Sequence, residues 1–186
     1  MLLNLERFRA GQVGRQSVQV EIARFQEELR SVLANVRALL NGQRGLPGVD
    51  PDLVGSLRLG LIRRFAQRTG LRIHLSVASD WPREVPAETS RQIHRIVQEA
   101  LNNVDRHSGA RSVLIRFAMV DGAGVMRILD DGRGSGEIEE DRSVHGLGLV
   151  GIRERAALLG GRLVLANRRC GGTILSVTIS RKSLGL

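Results

Sequence analysis

The stretch LDDGRGSG at residues 129–136 decides the fold of this chain. An apolar run at 124–130 precedes it, so Asp130 ends a predicted strand. Gly132 and Gly134 follow, and glycine permits positive φ angles and the close approach of a flat ring. A carboxylate beside bare backbone is suited to an exocyclic amino group such as that of adenine. The D-x-G-x-G pattern also occurs in ordinary turns, so further motifs must identify the ligand.

A second glycine-rich stretch, HGLGLVGIRER at residues 145–155, leads into a predicted helix at about 148–159. Backbone N–H groups at a helix N-terminus favour phosphate. The stretch is not a P-loop, because no G-K-[ST] follows. It is not a dinucleotide fingerprint either, since a polar segment at 135–144 precedes it instead of a strand. That polar segment is a predicted mobile lid.

The predicted helix at 87–107 carries a polar stripe. At about 100° per residue, Glu99, Asn103 and Arg106 fall within about 60° of one another. An amide oxygen is a suitable Mg²⁺ ligand, a carboxylate can orient a nucleophile, and a guanidinium can neutralise phosphate. The alternative is an ordinary solvated helix face. The opposite, core-facing positions are Ile93, Val97, Ala100, Leu101 and Val104.

The remaining periodicities predict alternating helices and strands between residues 51 and 180. The order αβαββαββ lacks the regular βαβ repeat of a dinucleotide fold and predicts an α+β domain built as a two-layer α/β sandwich. The other predicted helix is 51–69, ended by Gly70, and the predicted strands are 71–77, 111–120, 124–130, 161–167 and 172–180.

The N-terminal region carries a heptad pattern. Apolar residues spaced alternately by four and three predict a helix at 17–40 that seeks a partner helix; an amphipathic helix lying on its own domain is the alternative. The glycine- and proline-rich segment 41–52 is the predicted domain boundary. The heptad residues are Val18, Ile22, Phe25, Leu29, Val32, Val36 and Leu39.

Composition excludes several classes of protein. The net charge is +9, but every basic residue except Lys182 is arginine, and the arginines are scattered. Aromatic residues make up 3% and tyrosine is absent, so no stacking platform or direct nucleic-acid binding is predicted. The single Cys170 excludes an internal disulfide. No apolar run is long enough for a membrane segment, and a cytoplasmic protein is expected.

Taken together, three segments resemble the ATP-binding domain shared by gyrase, Hsp90, histidine kinases and MutL. EALNNVDRH at 99–107 resembles its N box, DDGRGSG at 130–136 its G1 box and HGLGLVGIRER at 145–155 its G2 box. Within that superfamily the chain looks most like the NarX/DesK-type sensor histidine kinases, from about Ser17 to Ile179. The resemblance implies a Bergerat-type ATP-binding fold preceded by a helical dimerisation segment.

The resemblance also implies roles for individual residues. Asn103 would bind Mg²⁺, and Glu99 would be the acid/base carboxylate that faces the incoming histidine. The residues implied to contact ATP are Arg106 and His107 at phosphate or ribose, Asp130, Gly132, Gly134 and Thr173 at adenine, and Gly146, Leu147 and Gly148 around the phosphates.

Kinases of this type phosphorylate a histidine on the first helix of a two-helix dimerisation hairpin. Residues 1–45 would form the dimerisation segment, with the second hairpin helix at about 17–41, and 46–186 would form the catalytic domain. No histidine precedes His74. His74, in a predicted strand, and His94, on the core side of a helix, are assigned to packing. The acceptor histidine is therefore expected outside this chain.

The resemblance thus implies the catalytic region of a sensor histidine kinase. Its implied partners are ATP, a response regulator with a helix-turn-helix output domain, and a second copy joined through the heptad helix. Two alternatives stay open: a non-catalytic ATP-binding regulator that dimerises with a true kinase, and a serine kinase of the anti-sigma type.

Overall fold

The structure, a computed structural model, describes residues 52–134 and 147–186. The predicted dimerisation segment at 1–45 and the predicted lid at 135–144 lie outside the described residues, and so does Gly146.

A mixed five-stranded sheet forms one layer of the domain. Its order is β1-β2-β3-β5-β4, with β1 parallel to β2 and every other neighbouring pair antiparallel. Each strand lies within two residues of its predicted bounds, because alternating apolar positions gave a clear period. The strands are β1 Arg72–Val77, β2 Ser112–Val120, β3 Ala123–Asp130, β4 Leu163–Asn167 and β5 Thr173–Ile179.

Helices form the second layer. The helical segment at 53–69 contains a π-helical stretch between two α-helical parts. It ends at Gly70, which has a φ of 74°. The predicted helix at 87–107 is α-helical only as far as Asn103, and a π-helical turn follows it. The helices are α1 Leu53–Gly55, α2 Arg63–Thr69, α3 Ala87–Asn103, α4 Leu147–Leu158 and α5 Arg181–Leu184, with π-helical stretches at Ser56–Ile62 and Val104–Ser108.

The short helix α5 was not predicted from the sequence. It has four residues, too few to show a helical period, and the Ser180 side chain caps it by accepting from the Ser183 N–H. The hydroxyl of Thr89 donates to the Ser183 carbonyl, which joins α5 to the first turn of α3. Among the described residues, no helix is long and apolar enough to cross a membrane.

The helices pack on one face of the sheet, which confirms the predicted two-layer sandwich. All five residues predicted for the core face of the helix at 87–107 are buried together with apolar side chains of β2, β3 and β5. On the opposite face, β1 exposes every second residue, and β2 and β3 expose the paired Arg116 and Arg127. The core residues from the strands include Ile115, Phe117, Met126, Ile128, Leu175 and Val177.

The two histidines assigned to packing differ. His74 lies on the open face of the sheet and is exposed, so its predicted packing role is wrong: the alternation of β1 places it on the solvent side. His94 on α3 is half-buried. Burial lowers the pKa of His94, with further lowering by the charges of Arg95 and Arg64, so the imidazole is held neutral near pH 7.

Asp131 closes the end of the β2–β3 hairpin. Its Oδ1 accepts from the N–H groups of Arg111 at 2.7 Å and Ser112 at 2.9 Å, and its Oδ2 accepts from the Ser112 hydroxyl at 2.8 Å. These bonds favour the charged form and lower the pKa of Asp131 to about 2, with Ser112 as the largest cause. The second residue of the acidic pair therefore ties strands together and does not face the candidate ligand site.

We predict that Asp131→Asn destabilises the domain by less than about 1 kcal/mol at pH 7, because solvent screens this exposed carboxylate. The folded-state pKa lies below the unfolded value of about 3.9, so the stabilisation is present above pH 4. It is lost as the pH falls from about 4 to about 2. Urea unfolding of both proteins across this range measures the difference, and a gap that is independent of pH would contradict the assignment.

Candidate nucleotide-binding site

The Asp130 carboxylate is the centre of the first half of the site. Only 1% of the residue is exposed. Its Oδ1 accepts from the Gly132 N–H at 2.8 Å, and its Oδ2 accepts from the Thr173 N–H at 3.2 Å and from the Thr173 hydroxyl. A carboxylate offers about four acceptor positions, so these three donors leave one for a ligand N–H.

Glycines surround Asp130 because other backbone lies too close for a side chain. A Cβ at Gly132 would lie 2.4 Å from the Ser108 carbonyl oxygen, and one at Gly172 would lie 2.0 Å from the carbonyl oxygen of Asp130. Gly134 and Gly172 have φ angles of 84° and 83°. Gly132 has no positive φ, so the freedom expected of it is not used there. Close packing against Ser108 accounts for this glycine.

Glu99 and Asn103 form the second half of the site. A Cβ added at Gly148 would lie 2.3 Å from Glu99 Oε1 and 3.2 Å from Asn103 Oδ1. Both polar side chains of α3 therefore face the second residue of α4. The first-turn N–H groups of α4 have no partners within the helix and favour an anion. Two side-chain oxygens thus lie beside a helix N-terminus, which favours an anion.

The π-helical turn Val104–Ser108 connects the two halves. It follows Asn103 directly, and its last carbonyl, that of Ser108, accepts from the Arg133 N–H at 3.0 Å in the glycine loop after Asp130. The Ser108 hydroxyl donates to the Val104 carbonyl at 2.8 Å. A single continuous segment therefore sets the position of Asn103 relative to the Asp130 loop.

The same turn changes one inference from the sequence. The helical wheel placed Arg106 beside Glu99 and Asn103 by assuming α-helical spacing to residue 107, and that spacing ends at Asn103. Arg106 and His107 are both exposed on the π-helical turn. Their contacts to phosphate or ribose stay predictions.

The three residues that the resemblance places around the phosphates are described only in part. Gly148 lies in α4 beside Glu99, as above. Leu147 is the first residue of α4, and its side chain lies outside the described part of the structure. The proposed wrapping of phosphates by Gly146, Leu147 and Gly148 therefore stays a prediction.

The residues present fit Mg-ATP. Mg²⁺ is commonly bound by one or two protein oxygens together with waters and substrate phosphates, and Asn103 Oδ1 and Glu99 Oε1 lie together next to the α4 N-terminus. Adenine carries an amino group that suits the open acceptor position of Asp130. Sequence reasoning missed two residues that contact this region. Ser108 accepts a hydrogen bond through its backbone carbonyl, and Arg168 donates from its side chain to the backbone carbonyl of Asp130. No motif noted in the sequence marks either residue.

The family follows from comparison with known proteins. Residues 88–183, just over half of the chain, match the family described as histidine kinase-, DNA gyrase B- and HSP90-like ATPase. The chain belongs to this family.

Among curated proteins, the chain is 31% identical over 157 residues to the sensor histidine kinase MctS of Rhizobium johnstonii, covering 84% of this chain and 34% of MctS. It is 30% identical over 160 residues to the nitrate/nitrite sensor protein NarX of Escherichia coli, covering 84% of this chain and 25% of NarX. The chain thus spans about a third or less of the length of these relatives.

A solved structure supports the same fold. The histidine kinase domain of the blue-light activated histidine kinase from Erythrobacter litoralis EL346 superposes with a TM-score of 0.53 at 27% identity. The match covers 66% of this chain and 57% of that one.

We predict that Gly172→Ala is much more destabilising than Gly70→Ala. Both glycines have left-handed φ angles, 83° and 74°, but a Cβ at Gly70 meets nothing within 4 Å. Gly70→Ala should therefore cost about 1 kcal/mol from backbone strain alone. Gly172→Ala should cost at least about twice that, because its Cβ also strikes the Asp130 carbonyl. Urea unfolding measures both, and equal losses would show that crowding at Asp130 is unimportant.

Proposed function

We propose that this chain is the ATP-binding catalytic region of a sensor histidine kinase. It would bind Mg-ATP and transfer the γ-phosphate to a histidine that lies outside this chain. The observation that carries the proposal is the convergence of Glu99 and Asn103 on Gly148 at the N-terminus of α4. This arrangement joins a metal-binding amide, an acid/base carboxylate and a phosphate-binding helix end in one place.

Each half of the site would have a separate task. The open acceptor position of Asp130 would take the adenine amino group, with Gly132, Gly134 and Thr173 around the base. Asn103 would hold Mg²⁺, which neutralises charge on the phosphates during transfer. The N–H groups at the start of α4 would bind the phosphates. Catalysis would then consist mainly of positioning and charge neutralisation.

Glu99 would act on the attacking nucleophile. An imidazole attacks phosphorus through one ring nitrogen while its other nitrogen carries a proton. A carboxylate that accepts a hydrogen bond from that N–H orients the ring and stabilises the positive charge that develops on it. Glu99 lies one helical turn from Asn103 on α3, so the nucleophile and the metal would be held by the same rigid element.

The proposal also includes an acceptor histidine and protein partners that are not part of the described site. Of the four histidines in the sequence, none precedes His74, and the first hairpin helix of such kinases would carry the acceptor. Homodimerisation through the predicted hairpin helix at about 17–41 and transfer onward to a response regulator of the helix-turn-helix type are part of the proposal. Their support is the similarity to the sensor kinases MctS and NarX.

The direct test is incubation with Mg-[γ-³²P]ATP, with and without a separately prepared acceptor helix from a related sensor kinase. We expect ATP binding in both cases and acid-labile label only on the added helix. Acid-stable label would indicate a serine kinase. Binding without label on any acceptor would favour a non-catalytic ATP-binding regulator.

We predict that substitutions on α3 separate binding from transfer. Asn103→Ala should weaken Mg-dependent ATP binding at least about tenfold, because it removes the proposed metal ligand. Glu99→Gln should leave ATP binding nearly unchanged and slow transfer by about a hundredfold or more, because it removes the proposed base. Asn102→Ala, one residue along the same helix, is the matched control. Normal transfer by Glu99→Gln would remove Glu99 from the mechanism.

A further prediction concerns Gly148. In Gly148→Ala the new methyl group would displace the Glu99 carboxylate, which is the end of a flexible side chain, so the fold should survive while transfer slows about tenfold or more. Gly151→Ala on the same helix meets only the guanidinium of Arg155, at 2.7 Å, and serves as the control. Transfer rates and thermal unfolding are measured for both. Equal rates in the two variants would contradict the role given to Gly148.

A further inference from the structure

The guanidinium of Arg168 lies at the end of β3, beside the site but outside every motif noted in the sequence. The β3–β5 ladder ends at the Leu129–Ile174 pair, one residue before Asp130. Beyond that pair, Arg168 Nη1 donates to the backbone carbonyl of Asp130. A charged side chain thus replaces the hydrogen bond that the next ladder position would have made.

The turn that carries Arg168 is itself held firmly. Within the β4–β5 hairpin, the Arg168 N–H donates to the Gly172 carbonyl at 2.9 Å, and the Gly171 N–H donates to the Arg168 carbonyl at 3.1 Å. Gly172 packs directly against the Asp130 carbonyl. Arg168 is half-buried, whereas its neighbour Arg169 is exposed. The described part of the chain gives Arg169 no hydrogen bond or ion pair.

We propose that Arg168 is a positioning residue that fixes the direction of the Asp130 carboxylate and thereby sets selectivity for a base with an exocyclic amino group. The inference rests on the proposed function, in which Asp130 binds adenine. Arg168 would hold the peptide plane of Asp130, while Gly132 and Thr173 hold its carboxylate oxygens. The single open acceptor position then points in one direction, and hydrogen bonds weaken steeply when misaligned.

A positioning role for Arg168 differs from a general structural or electrostatic role in which nucleotides it affects. If Arg168 acts through Asp130, its loss should matter only for a nucleotide that uses the open acceptor position. The triphosphate of purine riboside has the same ring, ribose and phosphates as ATP but lacks the amino group. Comparing the dissociation constants of the two nucleotides in the unmodified chain and in Arg168→Ala isolates the coupling between Arg168 and that amino group.

The experiment measures dissociation constants for both Mg-nucleotides with the whole chain by calorimetry. We expect Arg168→Ala to weaken ATP binding about tenfold and purine riboside triphosphate binding by less than about threefold, so that selectivity largely disappears. Arg168→Lys keeps a charged donor and should restore most of the selectivity. Arg169→Ala removes a neighbouring positive charge and should leave the selectivity unchanged; any equal weakening of both ligands measures the general effect of charge.

Three results would overturn the inference. Equal weakening of both nucleotides in Arg168→Ala, beyond that in Arg169→Ala, would mean that Arg168 supports the fold or attracts phosphate without aiming Asp130. Unchanged affinity for both nucleotides in Arg168→Ala would mean that Gly132 and Thr173 hold the carboxylate sufficiently. If the unmodified chain itself binds the two nucleotides equally, both the inference and the role of Asp130 in adenine recognition fail. Thermal unfolding without nucleotide checks that each variant is folded.

Discussion

A buried carboxylate must be surrounded by hydrogen-bond donors, and much of the site follows from meeting this requirement at Asp130. An ionised group inside a protein is costly unless donors replace the water it has lost. Here the donors come from the loop after β3 and from the first residue of β5, so these two segments must approach each other closely. This approach leaves no room for a side chain at Gly172, and Gly132 is crowded by Ser108. Packing around the buried carboxylate therefore accounts for both glycines.

The second half of the site depends on a single helix and its irregular end. Helix α3 carries Glu99 and Asn103 on the side that faces α4, and its other side is buried on the sheet. After Asn103 the helix widens into a π-helical turn, a feature that is frequent at functional sites. The wider turn brings the Ser108 carbonyl to the N–H of Arg133. The half of the site that contains Glu99 and Asn103 is thereby fixed relative to the Asp130 half by a short backbone segment and one hydrogen bond.

The sequence was most informative where a period or a glycine pattern was strong. Alternation gave the strands, the polar stripe placed Glu99 and Asn103 together, and the glycine boxes located Asp130 and Gly148. It was least informative where one backbone group decides the outcome. Nothing in VDRHS distinguishes a π-helical turn from an α-helical one, and Arg168 reaches Asp130 through a carbonyl that every residue possesses. Similarly, the motif that marks Asp130 carries no information about its neighbour Asp131, which the fold places at the end of the hairpin.

The attachment of α5 to the first turn of α3 has a practical consequence. The chain contains a single lysine, Lys182, and it lies in α5 next to Ser183, which is bonded to Thr89. Asn103 lies fourteen positions after Thr89 on α3, which corresponds to a rise of about 21 Å along the helix. Besides the α-amino group, an amine-reactive fluorophore would thus have one lysine side chain to modify, at the end of α3 remote from Asn103. Lys182 is therefore a position where an optical probe of ligand binding would not touch the candidate site.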